Sequence, residues 1–289
     1  MITYRSPFDR WERAAAVRRF SIDALDWSNG GQWAPAGHLA LIEHPAIEGL
    51  LHGAGGAALI LGHFHFTAKL ESELIAPVCN RIVASNALLA EDALRVQCDE
   101  SYHALACLQL SRRVCDAAGI DRPQFGEPRF LRHVQALHET AGPCVAAEDI
   151  DFAAAVVSET IVTRTLGEDW RDPLVHSAIR SFLKMHHRDE ARHGAFFAQA
   201  LALRWQEWGP VTREAIEAMW DGLVDAFIGP DLAMMAAAFA VGKVEPGLAH
   251  EILGALGAAS ERLAPRADTR LTRRTLAAAK AATGLGVAA

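Results

Sequence analysis

The chain has 289 residues, a formal net charge of −7, and 51% hydrophobic against 22% charged residues. That balance leaves room for a large buried core and excludes an intrinsically disordered chain. With 28 Lys plus Arg against 35 Asp plus Glu and no basic tract, the sequence also argues against nucleic acid as a partner.

Residues 1–55 alternate short helical pieces with punctuation at Ser28-Asn29-Gly30-Gly31, Pro35, Pro45, Gly53, Gly55 and Gly56, the pattern of an N-terminal arm over a helical body. The spacing predicts one helix over 57–84, kinked or ended by Pro77, and a second over 88–118, closed by Gly119. A loop at 123–128 leads to a shorter helix ending near Glu139. Long helices are predicted over 148–166 and 173–205, separated by Gly167-Glu168-Asp169-Trp170, with Pro173 in a first turn. Residues 211–285 read as helical, broken at Gly229-Pro230 and Glu245-Pro246-Gly247. The alternation that strands need is missing, so the expected fold is all-α: a single domain over 1–289 with an arm (1–55), a bundle (56–205) and C-terminal helices (206–289).

The five cysteines (Cys79, Cys98, Cys107, Cys115, Cys144) form no C-x-x-C pair, which points to buried thiols in a reducing cytoplasm. Met1-Ile2-Thr3-Tyr4-Arg5 lacks the apolar core of a signal peptide, and the longest apolar run, 232–242, falls short of the roughly 20 residues a membrane helix needs. A soluble cytoplasmic protein without a membrane partner is expected.

The chemistry lies in two copies of Glu-x-x-His, each preceded by aspartate: Asp99-Glu100-Ser101-Tyr102-His103 and Asp189-Glu190-Ala191-Arg192-His193, with His186 one turn upstream of the second. On a helix, positions i and i+3 lie about 60° apart, so each carboxylate and its imidazole point the same way. A bundle that binds two iron or manganese ions needs two such helices plus one glutamate from each of two others. Glu71, which shares a face with Ile75, Val78 and Ile82, and Glu159, flanked by Val156 and Val162, supply them. Buried carboxylates must be paired or bind metal. Glu73 is read as solvent-facing and His187 as outside the ligand set. His63 and His65, near the Glu71 helix, are read as core or surface residues. Asp99 and Asp189 are candidates for orienting a histidine on the opposing helix. Carboxylate and imidazole donors suit Fe(II), with manganese as a substitute.

The series Glu71, Glu100-x-x-His103, Glu159, His186-x-x-x-Glu190-x-x-His193 resembles the AurF-type diiron arylamine N-oxygenases, the p-aminobenzoate N-oxygenase family. Lys184-Met185-His186-His187-Arg188-Asp189-Glu190-Ala191-Arg192-His193 fits that family's most specific motif, and Trp33-Ala34-Pro35 is similar to its N-terminal region; the likeness covers roughly residues 25–205. The resemblance implies a ferritin-like bundle with seven ligands, Glu71, Glu100, His103, Glu159, His186, Glu190 and His193, around two Fe ions. It implies O₂ activation with an external electron donor, a ferredoxin/reductase or a chemical reductant. The substrate would be a small, aromatic or carboxylate-bearing amine, oxidised to hydroxylamine and onward to nitroso or nitro, and the protein a homodimer.

Alternatives are another diiron oxidase acting on C–H bonds, and a ferritin-like iron-binding protein without a substrate. A ribonucleotide reductase radical subunit is disfavoured because Cys107 stands where a tyrosine is wanted. Arg262, Arg266, Arg270 and Arg273 recur at helical spacing; a solvated face is the plain reading, and a substrate-carboxylate clamp through Arg266 or Arg262 the functional one.

Overall fold

The structure, a computed structural model, describes residues 4–8, 11, 21–28, 30–39, 42–142, 145–261 and 270–283. In chain order the helices are α1 (Ile47–His52), α2 (Ala54–Leu70), a π-helical turn (Glu71–Ile75), α3 (Ala76–Ser85), α4 (Ala90–Ala118), α5 (Arg129–Thr140), α6 (Ala147–Asp169), α7 (Ser177–Glu207), α8 (Pro210–Ile228), α9 (Leu232–Val241), α10 (Pro246–Glu261) and α11 (Arg270–Thr283). The four rods of the bundle are α2–α3, α4, α6 and α7. Rod α2–α3 lies against α4, α6 lies against α7, and the later helices pack outside: α8 on α5 and α6, α9 on α2, α11 on α6 and α7. This is the expected all-α, ferritin-like bundle with additions at both ends.

Local signals set most of the ends. Glu91 and Asp92 occupy the first turn of α4, and Glu148 and Asp149 that of α6, where carboxylates offset the helix dipole. Pro210 opens α8, and the Asp231 carboxylate accepts the Met234 N–H at the start of α9.

Two expectations change, and a third takes a specific form. Pro77 marks a boundary: it stands in the first turn of α3, directly after the π-helical turn. A proline offers no N–H and crowds the carbonyl one turn back, and the turn before it is wider: the Ala76 N–H donates to the Glu71 carbonyl, a π-type bond. Gly167 does not break α6, which runs on to Asp169; a Cβ there would meet the His187 ring at 3.0 Å, so the glycine makes room for that ring. Helix α7 begins at Ser177 rather than at Pro173, because the backbone ahead of it is committed elsewhere. The Gln32 N–H donates to Leu174 O at 2.7 Å, and the His176 N–H donates to Gln32 O at 2.8 Å. The His176 ring caps the helix through the Ala178 N–H and stacks on Trp33.

Two apolar cores fill the molecule, one holding Ile75, Val78, Val96, Val156 and Phe197, the other Ile60, Phe64, Leu110, Leu166 and Phe182. Helix α4 passes from the first core to the second between Val96 and Ala106, and α7 makes the reverse passage between Met185 and Phe196. On α2 and α6 the change of core falls within one turn of Glu71 and Glu159. A polar layer therefore divides the two cores.

The stretch Pro210–Val241 is long and apolar enough to cross a membrane by length and composition, with a mean hydropathy of 1.5 in its most apolar window. The sequence reading counted only its second part. In the fold it is two helices, α8 and α9, and Trp220, Leu223 and Phe239 on them are buried in the cores.

Helices α6 and α7 meet through backbone at Gly194, where a Cβ would come within 2.9 Å of Glu159 O. Gly194→Ala should therefore lower stability by about 1–3 kcal/mol, the usual cost of overpacking. Urea unfolding measures this, and an unchanged midpoint would show that the two helices part freely.

Candidate metal centre

Each bundle rod brings a carboxylate to the polar layer: Glu71 from the π-turn, Glu100 from α4, Glu159 from α6 and Glu190 from α7, all at most 3% exposed. The structure gathers them, with His103, His186 and His193, into two groups: Glu71, His103, His186 and Glu190; and Glu100, Glu159, Glu190 and His193. Within each group one donor atom per residue lies within 4.8 Å of the others.

Glu190 belongs to both. Its Oε1 is 2.9 Å from His186 Nε2 and 3.5 Å from Nδ1 of both His103 and His193. The Glu-x-x-His pair of α4 is divided between the groups: His193 Nδ1 is 2.7 Å from Glu100 Oε1, whereas His103 Nδ1 is 3.6 Å from Glu71 Oε1. His186 Nε2 stands 3.3 Å from Glu71 Oε1, and His193 Nδ1 is 3.6 Å from Glu159 Oε2.

Outside these rings stand the two aspartates. Asp189 Oδ2 on α7 is 3.2 Å from His103 Nε2 on α4, and Asp99 Oδ2 on α4 is 3.3 Å from His193 Nε2 on α7. A carboxylate accepting the Nε2–H leaves the Nδ1 lone pair facing the cluster. Three partners escaped the sequence reading. Arg192 lies over both aspartates, donating to Asp189 and placing a guanidinium nitrogen 3.5 Å from Asp99 Oδ2. From the N-terminal arm, Trp11 donates its indole N–H to Asp99 Oδ2 at 2.9 Å, and Phe8 stacks on His193. Arg192 follows Asp189 by three residues, a spacing that could have flagged it; nothing near Phe8 or Trp11 in sequence points to the site.

The remaining candidates fall elsewhere. Glu73 is exposed and paired with Lys69, His187 donates its Nδ1–H to Thr163 O at 2.8 Å, and His65 meets Gly126 O. His63 is half-buried beside Phe64 and belongs to neither group. Arg262 and Arg266 lie outside the described residues, and Arg273 is exposed and paired with Asp221. Of the described cysteines, Cys79 and Cys107 are buried; Cys98 is exposed and Cys115 intermediate, so burial is not general among the thiols. A cleft of about 290 Å³ opens at one end of the bundle, lined by Val78, Ile82, Leu89 and Phe152, with Arg81 and Arg204 already paired with Asp151 and Asp149. Val78 and Phe152 are each seven residues from the nearest candidate ligand, about 10 Å along a helix, so the cleft is not the cluster's own surroundings.

The cluster holds protons in place of counter-charge. Burial, with the Glu100 and Glu190 charges adding to it, pushes the Glu71 and Glu159 carboxyls well above their ordinary value. Burial works against the charged form of His186, but the Glu190 and Glu71 carboxylates outweigh it and push the ring up to about 10. His193 is raised in the same way by Glu190 and Glu100. Burial also opposes ionisation of Glu190, yet the surrounding His193 and His186 hold it well below the ordinary range. Asp99 is lowered against its burial by His193 and Trp11.

Many donors still lack any hydrogen-bond partner: both oxygens of Glu71 and Glu100, Glu159 Oε2, Glu190 Oε2, and Nδ1 of His103 and His193. Each such buried orphan costs about 1–3 kcal/mol. A layer of inward-facing carboxylate oxygens and imidazole nitrogens left open in this way fits two divalent cations.

If the aspartates orient these rings, Asp99→Asn and Asp189→Asn should each lower metal affinity by about 10–100-fold. Competition with a chelator measures this, and wild-type affinity in both variants would reduce the aspartates to packing.

No curated protein matches the chain. The profile of the family described as P-aminobenzoate N-oxygenase AurF does match, over residues 56–274. That span begins after the arm, so Trp33-Ala34-Pro35 falls outside it, and it runs well past residue 205, ending within α11. It contains both metal-donor groups entire, and with most of its length matched the chain belongs to the AurF family of p-aminobenzoate N-oxygenases.

Proposed function

We propose that the protein is a non-haem diiron N-oxygenase that uses O₂ to oxidise a small aromatic or carboxylate-bearing amine to the hydroxylamine and onward to nitroso or nitro. The observation that carries this reading is the layer of four glutamates and three histidines, sealed between two apolar cores, inside the span matched by the family. Carboxylate-rich ligation with imidazole favours iron, with manganese as a substitute. Two bound irons would supply the reduction of O₂. The protein's own part is to hold Glu190 between the two groups, to fix the His103 and His193 imidazoles through Asp189 and Asp99, and to keep water out of the layer. Two electrons must come from outside, from a ferredoxin/reductase or a chemical reductant. We place the activity in the cytoplasm and treat the chain as one functional domain.

The test is product analysis by mass spectrometry under ¹⁸O₂ with iron-loaded, chemically reduced protein and a panel of aryl and alkyl amines, with and without carboxylates. Labelled oxygen on nitrogen supports the reading. Labelled oxygen on carbon makes the protein a hydroxylase on the same scaffold, and iron oxidation without any labelled organic product makes it a ferritin-like iron binder.

A further inference from the structure

The N-terminal arm sets two oxidisable rings, Trp11 and Tyr4, against buried carboxylates of α4. Trp11 donates its indole N–H to Asp99 Oδ2 at 2.9 Å, and the same oxygen lies 3.3 Å from His193 Nε2. The indole is thus two hydrogen bonds from a candidate metal ligand. The Arg95 guanidinium carbon stands over the ring, 6.0 Å from its centroid. Arg95 Nη1 donates to Asp92 Oδ1 at 2.5 Å, and Asp92 Oδ2 accepts the phenol O–H of Tyr4 at 2.6 Å. A relay of touching groups, His193, Asp99, Trp11, Arg95, Asp92 and Tyr4, therefore leads from the sealed layer to a half-buried phenol. Tyr4 is one of only two tyrosines in the chain.

We propose that Trp11 and Tyr4 form a one-electron relay that drains the O₂-oxidised metal layer when no amine is bound, moving the oxidising equivalent to Tyr4. The inference rests on the diiron reading above only in requiring that bound iron react with O₂. An oxidant sealed between two apolar cores without a substrate would attack the side chains enclosing it, Phe8 on His193 among them. In the first step Trp11 gives one electron to the oxidised layer. The positive charge left on the ring would be costly in an apolar site, and the Asp99 carboxylate against the indole N–H offsets it. Asp92 and Glu91 pair with Arg95, whose charge over the ring would otherwise oppose the step. In the second step Tyr4 gives one electron to Trp11 and its phenolic proton to Asp92 Oδ2. Trp11 is restored, and a neutral tyrosyl radical remains. Burial and the Asp92 charge keep the phenol protonated until then. A small thiol from solution closes the cycle: it supplies one electron to Tyr4, Asp92 returns the proton, and the thiol, oxidised by one electron, releases its own proton to water.

Freeze-quench electron paramagnetic resonance tests this on iron-loaded, chemically reduced, full-length protein mixed with O₂ in the absence of amine and thiol. The protein is grown with ring-deuterated tyrosine or tryptophan, and the iron content of each variant is measured. The wild type should give an organic radical whose spectrum narrows with deuterated tyrosine. Tyr4→Phe should abolish that signal and leave a shorter-lived one that responds to deuterated tryptophan. Tyr102→Phe, which removes the other, exposed tyrosine, should change neither. At equal iron content, Trp11→Phe should lower the tyrosyl yield more than tenfold, and Trp11→Tyr, which keeps an oxidisable ring, should restore part of it. A Trp11 that merely fastens the arm would not separate those two variants. Iron that oxidises in the wild type without a protein radical would overturn the inference and leave the oxygenase reading standing. A radical that survives Trp11→Phe, or is lost in Tyr102→Phe, would overturn it equally. A Tyr4 radical in protein that oxygenates no amine would uphold the relay and overturn the oxygenase reading, and protein that binds no iron would overturn both.

Discussion

Replacing Glu190 by alanine should leave the iron-reconstituted protein with almost no tightly bound metal, against about two irons per chain in the wild type. The carboxylate is the one member common to both donor groups, so its loss opens both at once. It would also remove the carboxylate that does most to hold protons on His186 and His193. Glu159→Ala should behave differently, because it belongs to the second group alone, and should retain about one iron per chain. Glu73→Ala, on the exposed side of the same turn as Glu71, should change nothing. Metal analysis by mass spectrometry after gel filtration settles these together. Full loading of Glu190→Ala would remove the basis for a shared ligand.

The second large effect is a reversal with pH. In metal-free protein the raised histidines stabilise the fold fully below their unfolded value of about 6.5, and that contribution is lost as pH climbs through the folded values, about 10 for His186. Glu71 and Glu159 act in the same direction: the unfolded chain gives up their protons just above the ordinary value of 4.5 while the fold retains them. Glu190, held low, contributes stability above 4.5 that is lost only in acid, and so leaves the neutral range alone. The melting temperature of chelator-treated protein should therefore fall steadily from pH 6 to pH 9. Iron affinity should rise over the same range, because each metal ion must displace protons from these groups. Calorimetric titrations in buffers of different ionisation enthalpy count the protons released. A melting temperature that climbs across that window would contradict the assignment of protons to the layer.

Much of this layer is visible in the sequence because a helix converts spacing into direction. Glu100 with His103, and His186 with Glu190 and His193, are each confined to one face by the helical period alone, and the structure gathers them with Glu71 and Glu159. The aspartates were reachable by the same arithmetic, since a residue beside a ligand lies on the flank toward the neighbouring helix. The π-turn was not: Pro77 reads as a break, and only the path of the Ala76 N–H shows that the helix widens and goes on. Nor was the part played by Phe8 and Trp11, because contacts between an irregular arm and a distant helix leave no periodic trace. The late start of α7 had the same origin: the pairing of Leu174 and His176 with Gln32 joins segments far apart in sequence, and no local propensity encodes it.

The division of the interior into two apolar cores bears on how the molecule comes apart. Each bundle helix has one half anchored in each core, with ionisable groups at the join. Iron bound at the join would tie the two halves together, so loss of either core would expose the metal and take the other with it. Heat should then melt the loaded protein in one cooperative step. Stripped of metal, the same helices lose that tie across their middle, and the halves should become separate units of unfolding, the weaker one free to open while the other persists. A calorimetric trace that is single with iron and broad or split without it would make the metal layer the source of the protein's cooperativity as well as the seat of its chemistry.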